Sequence, residues 1–329
     1  MRFQLIDRGP DAFQQPVAPG EIEAMCARAF GAGTRVVEAA ELGNGMYNST
    51  FRVSVAGQER PVILRVAPEV NRQFSSEREL MRNEYASVPY LARIAALMPR
   101  VISADFTHEV VARDYMFQTY LDGVPGPDRI GDYPRSAWPV LFRQMGVIAR
   151  DVHAVCGPHF GPITGPAYGK WSAAVTASLQ GIAGDLECVG LDAADVRGAA
   201  AAGFRHSEVL DEITVPHLLA GDLWTVNVML DETALEPSIT GVFDLDRTWW
   251  GDPAADWTIR MAMAKPGTER DSFWETYGPP DRTEAGVWRS RIYEARHLAA
   301  IRLERHRLGN AEGVKDSYGA MAAVVADLA

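Results

Sequence analysis

The segment richest in chemical side chains is Ala220-Gly221-Asp222-Leu223-Trp224-Thr225-Val226-Asn227, in which an aspartate stands five positions ahead of an asparagine. An apolar, strand-like run at 226–230 follows it. Then come Gly241-Val242-Phe243-Asp244-Leu245-Asp246-Arg247, Gly251-Asp252-Pro253 and Asp256. Gly-Asp and Asp-Pro are ordinary turn dipeptides, and either alone would say no more than that. Here each acidic turn stands beside a strand-like run, and the group makes a set. Phosphoryl transfer needs a carboxylate to orient and deprotonate the attacking hydroxyl, and oxygen ligands to hold Mg2+ against the phosphates. Asp222 suits the first task. Asn227 and Asp244 suit the second, in the right chain order. A metal-dependent hydrolase is the other use of such a cluster, but the histidines those sites recruit are missing.

These residues need elements to position them. Residues 1–20 are polar and rich in proline and glycine, and read as a lead-in. A helix over 21–30 follows, with Ile22, Met25, Cys26, Ala29 and Phe30 on one face. Strands are expected at 35–38, 49–55, 61–66, 100–104 and 110–118, with a helix over 78–97 between them. Alternation is clear at Phe51, Val53 and Val55. Beyond residue 118 the pattern is helical, with Leu141, Met145, Ile148 and Val152 on one face. Short strand-like runs return at 226–230 and 238–243, and a break is expected near 277–281. The expected fold class is α+β, with an N-terminal antiparallel sheet carrying one main helix and a mostly helical remainder. No βαβ alternation is seen, which argues against a doubly wound sheet.

Composition excludes several function classes. The 329 residues carry a formal net charge of −11, which speaks against nucleic-acid binding. Cys26, Cys156 and Cys188 have no metal-ligand spacing. No apolar stretch is long enough to cross a membrane, and residues 1–20 lack the pattern of a signal peptide. The expected location is the cytoplasm.

The acidic segments resemble the aminoglycoside phosphotransferase and choline kinase-like family. Its pattern is His-Gly-Asp-Leu-x-x-x-Asn, a strand, Ile-Asp-x-Glu/Asp, then Gly-Asp-Pro-x-x-Asp. The sequence has Asp222-Leu223 through Asn227, then Phe243-Asp244-Leu245-Asp246 and Gly251-Asp252-Pro253-Ala254-Ala255-Asp256. It departs from the pattern at Ala220, where the family has histidine. The resemblance spans roughly residues 35–278 and implies a two-lobed, protein-kinase-like fold. The nucleotide-binding lobe would be 1–118 and the helical lobe 119–329. It implies Asp222 as base, Asn227 and Asp244 as Mg2+ ligands, and ATP or GTP as donor.

On the same resemblance, residues 42–53 form the phosphate-covering loop. Gly43 and Gly45 would allow close backbone approach, and Asn48, Ser49 and Thr50 would donate hydrogen bonds. Arg65 takes the place of the phosphate-anchoring lysine of kinases, with a guanidinium fork for phosphate or carboxylate. Its expected partner is Glu84, while Glu77 and Glu79 are expected on a solvated face. Main-chain groups near Gln118 and Tyr120 would meet the purine. His153 is expected to be a satisfied core residue rather than a catalytic one, and Asp252 and Asp256 to brace the metal loop. Asp246 either assists the metal or pairs with Arg247 or Arg260. Trp249 and Trp250 either pack the core or wall the acceptor site. The expected activity is O-phosphotransfer to a small hydroxylated molecule. Net charge leans towards a cationic acceptor such as an aminoglycoside or other antibiotic. A sugar, an amino alcohol or another metabolite is the alternative, as is a non-catalytic nucleotide-binding module on the same fold.

Overall fold

The computed structural model describes residues 2–9, 12–43 and 45–328. Its N-terminal part is built on a six-stranded sheet. In spatial order the strands are Arg2–Gln4, Val36–Leu42, Ser49–Val55, Val62–Val66, Tyr115–Thr119 and Val101–Asp105. All neighbours run antiparallel except the first pair, which is parallel and bridged by the helix Pro19–Phe30. The first strand lies in the stretch expected to be a lead-in. Three residues are too few for a period of two to show.

That period decides what each face of the sheet does. Phe51, Leu64 and Phe117 lie opposite one another and face Ile22, Met25 and Cys26 of the first helix. Arg65 and Met116 are also register partners, one residue out of phase, and so face the other way. On that side Met116 packs with Ala67 and with Met81 of the helix Leu80–Ser87. The helix expected over 78–97 is therefore shorter. It passes at Ser87 into 3-10 turns over Val88–Leu97, with a kink at Leu91. Pro89, without an N–H, cannot extend an α-helical ladder there. The strand expected from residue 110 begins only at Tyr115.

Past Thr119 the chain is mostly helical, as expected. One apolar cluster gathers Leu141, Met145 and Val152 of the helix Trp138–His153 around Leu223, Val228 and Trp250. Another joins the helices Trp171–Cys188 and Glu284–Arg307 through Trp171, Val175 and Ile292. The break expected near 277–281 falls between Ser272–Tyr277 and Glu284–Arg307.

Two small sheets hold the chemistry in place. Val228–Leu230 pairs with Ile239–Val242 and Val124–Pro125, and Trp249–Gly251 pairs with His217–Leu219 and Gly161–Pro162. The stretch 220–227 runs from the second of these sheets to the first, and 243–248 runs back. Two loops with four anchored ends are thereby laid side by side. No described helix is long and apolar enough to cross a membrane.

Candidate active site

Gly221 locks the two loops together. Its φ is 79°, a left-handed value that glycine takes without strain. A Cβ there would run into the carbonyl of Arg247. Gly221→Ala is expected to cost about 2–4 kcal/mol, from the backbone conformation and the forced separation of the loops. Gly184, mid-helix with open space around it, is the control. Its alanine variant is expected to be neutral or up to about 1 kcal/mol more stable. Urea unfolding of both proteins reads the difference.

Next to Gly221 the catalytic candidates meet. The side-chain amide of Asn227 donates to the Asp222 carbonyl at 2.8 Å and to its carboxylate at 3.0 Å. Spending the amide nitrogen on Asp222 leaves the amide oxygen as the free ligand atom. The Phe243 N–H donates to the Asn227 carbonyl at 3.1 Å, continuing the Val228–Val242 register, so Asp244 follows directly beside Asn227. Asp244 itself has a φ of 62°, a strained value for a residue with a side chain.

Arg65 stands at the centre of the acidic groups. It donates to Glu84 at 2.5 Å, to Asp244, and lies 3.9 Å from Asp246. Glu84 also accepts from the Gln118 side chain at 3.0 Å. The Arg65–Glu84 pair expected from the sequence is therefore present. Burial works against the arginine's charge, but Glu84, Asp244 and Asp246 outweigh it and hold the group protonated. Burial pushes Glu84 up against the pull of Arg65, and burial with Asp244 raises Asp246. Oxygens of Glu84, Asp244 and Asp246 lie within 4.8 Å of one another. Three carboxylates around one guanidinium make a hard-oxygen donor set short of positive charge, which suits Mg2+. Arg65→Ala is expected to raise the nucleotide Kd by about tenfold or more and to cost roughly 3–5 kcal/mol of stability, since it strands buried carboxylates. Arg65→Lys keeps the charge but loses one arm of the fork, and should fall between. Calorimetric titration and melting curves check both.

Asp222 is half-buried. Burial pushes its carboxyl up to about 7. Asp244 adds to the rise, and Arg247 and the Asn227 hydrogen bond oppose it. A carboxylate poised near neutrality is well placed to take a proton from a hydroxyl. Arg247 in turn is held by Glu77 at 3.4 Å, and Glu77 also meets Arg307 at 2.5 Å. Glu77, expected on a solvated face, is instead buried, while Glu79 is exposed. Two arginines brought from 170 and 230 residues away along the chain draw Glu77 inside.

Asp256 is the brace. One of its oxygens accepts the Ala220 N–H at 2.6 Å and meets His153 Nε2 at 2.9 Å. The other His153 nitrogen meets the Tyr277 hydroxyl at 2.7 Å. His153 is thus a buried, satisfied residue, as expected. Asp252 accepts from the Ala254 N–H at 3.0 Å and from Tyr293 at 2.7 Å. Sequence alone did not single out Asn83. Its amide donates to the carbonyls of Asp246 at 2.8 Å and Thr248 at 2.9 Å, tying the helix that carries Glu84 to the acidic loop. Its only sequence signal is its place next to Glu84.

The expected phosphate loop differs from its reading in one respect. Gly43 and Gly45 are exposed, and Asn44 lies outside the described residues. Ser49, however, donates its hydroxyl to the Gln15 carbonyl at 3.0 Å, so it is turned to the N-terminal segment rather than to a nucleotide. The Gln14 amide donates to the carbonyls of Gly45 at 3.0 Å and Asn48 at 2.7 Å. Asn48 is buried, and its side-chain oxygen has no partner. Gln118 lies inside the sheet, opposite Ile63 and Val101, and reaches the acidic groups by its side chain. Tyr120 is the first residue past that strand. Asp246 lies with the acidic groups and within reach of Arg65; Arg260 pairs instead with Glu294 at 2.6 Å. Trp250 is core, whereas Trp249 is half-buried and lies 4.5 Å beneath the guanidinium of Arg296.

With the geometry in place, similar proteins can be set beside it. A thermostable mutant of aminoglycoside phosphotransferase APH(4)-Ia, in its apo form, is 21% identical and superposes with a TM-score of 0.65 over 93% of this chain and 98% of that one. The GDP and kanamycin complex of APH(2")-IIIa is 14% identical, with a TM-score of 0.61 over 93% and 98%. A ternary complex of mutant APH(4)-Ia with AMP-PNP and hygromycin B is 20% identical, with a TM-score of 0.63 over 93% and 98%. The shared fold is the kinase-like fold of these enzymes. No curated protein matches the sequence. The model of the phosphotransferase enzyme family matches residues 38–288, well over half of the chain. That span takes in the sheet from Glu38 onward, without its first strand Arg2–Gln4, together with the Arg65–Glu84 pair and both acidic loops, and the chain belongs to the phosphotransferase enzyme family.

Proposed function

We propose that this phosphotransferase moves the terminal phosphate of ATP or GTP onto a hydroxyl of a small molecule in the cytoplasm. The nucleotide would lie between a lobe of residues 1–118 and a lobe of residues 119–329. The observation that carries the reading is the Asn227 amide held on Asp222, with Asp244 next to it on the adjoining strand end. Asp222 accepts the hydroxyl proton as the new P–O bond forms and the bond to the nucleoside diphosphate breaks. Asn227 and Asp244 would hold Mg2+, which when bound neutralises the phosphate charge. Asp246 and Glu84 stand close enough to share that task. Arg65 offers its fork to the phosphates, and the flexible backbone at Gly43 and Gly45 covers them. Main chain at Tyr120 is the first free of the sheet and can meet a purine edge.

Solved neighbours carry AMP-PNP or GDP, so both donors belong in the assay. Those neighbours also hold hygromycin B and kanamycin, which makes aminoglycosides natural members of the acceptor panel. The test is ADP or GDP release over that panel, wild type against Asp222→Asn. Equal turnover by the two proteins would sink the mechanism.

A further inference from the structure

The helix Glu284–Arg307 carries six arginines, and five of them are engaged. Arg289 pairs with Glu212 and Asp281, Arg291 with Asp327, Arg302 with Asp195 and Arg307 with Glu77. Arg305 donates to the Gly313 carbonyl. Arg296 is the exception. Its Nε donates to the Ser178 hydroxyl at 2.8 Å, and its guanidinium lies 4.5 Å above the ring of Trp249. Among the described residues no carboxylate pairs with it, and no acceptor meets its two terminal nitrogens. Those nitrogens are not among the sealed, unpartnered atoms of the protein, so they open to solvent. Half-burying an unpaired cation costs free energy. Burial, with the nearby charge of Arg247, pushes the group down to about 10.

Its place in the fold gives that cost a use. Trp249, under the guanidinium, ends the loop that carries Asp244 and Arg247, and it pairs with Leu219 just ahead of the Asp222 loop. The charge of Arg247 acts on both Asp222 and Arg296. Glu304, two turns along the same helical face from Arg296, is half-buried, forms no ion pair among the described residues, and acts on Asp222 as well. The charges acting on the base are thus mixed in sign, Arg247 against Asp244 and Glu304, and a free cation lies over the strand that follows the Asp244 loop. A free guanidinium over that strand repels a cationic acceptor and attracts an anionic one. Ser178 and Trp249 fix the Arg296 fork in one plane, leaving two parallel N–H donors, the geometry that takes a carboxylate in a bidentate pair.

We propose that Arg296 binds a carboxylate of the acceptor, so that the molecule phosphorylated at Asp222 is a hydroxy acid. This rests on the kinase reading above and deepens it. The test offers wild type, with Mg2+ and ATP or GTP, matched acids and amides: glycerate, serine and homoserine against glyceramide, serinamide and homoserine amide. Kanamycin and hygromycin B complete the panel, and phosphorylated products are weighed by mass spectrometry. The expected result is a preference for acid over matched amide of about tenfold or more in kcat/KM. Arg296→Gln should raise KM for the acid by roughly 10–100-fold and barely change that for the amide, with partial rescue in Arg296→Lys. Nucleotide titration of the same variants separates lost acid binding from a misfolded protein, and the acid–amide contrast in wild type needs no variant. Equal use of acid and amide, or transfer confined to the aminoglycosides, overturns the inference and leaves the kinase reading standing. No nucleotide turnover with any acceptor, water included, overturns that reading and the inference with it.

Discussion

Asp222→Asn is expected to lower kcat for acceptor phosphorylation by roughly 10²–10⁴-fold, the usual worth of a positioned general base, while nucleotide affinity stays within about threefold. The asparagine oxygen still accepts from Asn227, so loop geometry is kept, and Arg65, Glu84 and Asp244 are untouched. A structural disturbance would move the nucleotide Kd and kcat together, and calorimetry beside product assays tells the two apart. The same substitution should also make the protein more stable at the right pH. In the folded state burial raises this carboxyl to about 7, from 3.8. Between those values the folded state keeps a proton that the unfolded chain has released, so stability falls as pH rises through the window. An amide escapes that loss. The variant is expected to melt near wild type at pH 4 and about 2–4 °C above it at pH 8. Unchanged kcat would remove Asp222 from the chemistry. An unchanged melting gap between pH 4 and pH 8 would remove the electrostatic account of why it is poised.

The loop from Asp222 to Asn227 was legible because its information is local. Asp222 and Asn227 are five residues apart, and one hydrogen-bonded turn brings them together. The sheet strands with clear alternation, Ser49–Val55 above all, were legible for the same reason. The pairing of Arg65 with Glu84 spans 19 residues but follows from a strand and a helix each read correctly in type. What stayed hidden depends on contacts no window contains. Glu77 looks solvated in a charged stretch and becomes buried only because Arg247 and Arg307 arrive from the far end of the chain. Ser49 looks like a phosphate donor until the N-terminal segment lies along its loop. Three-residue strands such as Trp249–Gly251 carry no period at all, yet that one places Trp249 beneath Arg296.

Asp256→Ala is expected to cost about 3–5 kcal/mol, because it removes one buried carboxylate that serves three partners. Asp256 is 1% exposed, takes the Ala220 N–H and His153 on one oxygen, and caps the helix Trp257–Met263 through the Thr258 N–H at 3.2 Å on the other. Thr258 returns a bond from its hydroxyl to the Leu223 carbonyl at 2.7 Å. The residues two before and one after Asp222 are therefore pinned to the same helix start, and kcat should fall with stability. Where the alanine variant does not fold, Thr258→Val cuts only the Leu223 bond. It is expected to cost about 1–2 kcal/mol and to lower kcat with little change in nucleotide KM. The pH dependence runs opposite to that of Asp222. Burial opposes ionisation, but His153 and the two backbone donors overcome it and hold this carboxyl below its ordinary range. Its contribution is thus present above the usual carboxylate pKa and is lost as pH falls through the lowered one, so the gap between wild type and Asp256→Ala should narrow in acid. A constant gap would mean that cavity and cap, not charge, hold the loop. The same geometry accounts for the missing histidine. Asp256 grips residue 220 by its main chain, which alanine supplies as well as any residue, and an imidazole reaches that carboxylate from the helix Trp138–His153 instead. A loop secured this way keeps Asp222 in position without its family's usual side chain, which removes the one sequence feature that favoured a catalytically silent module.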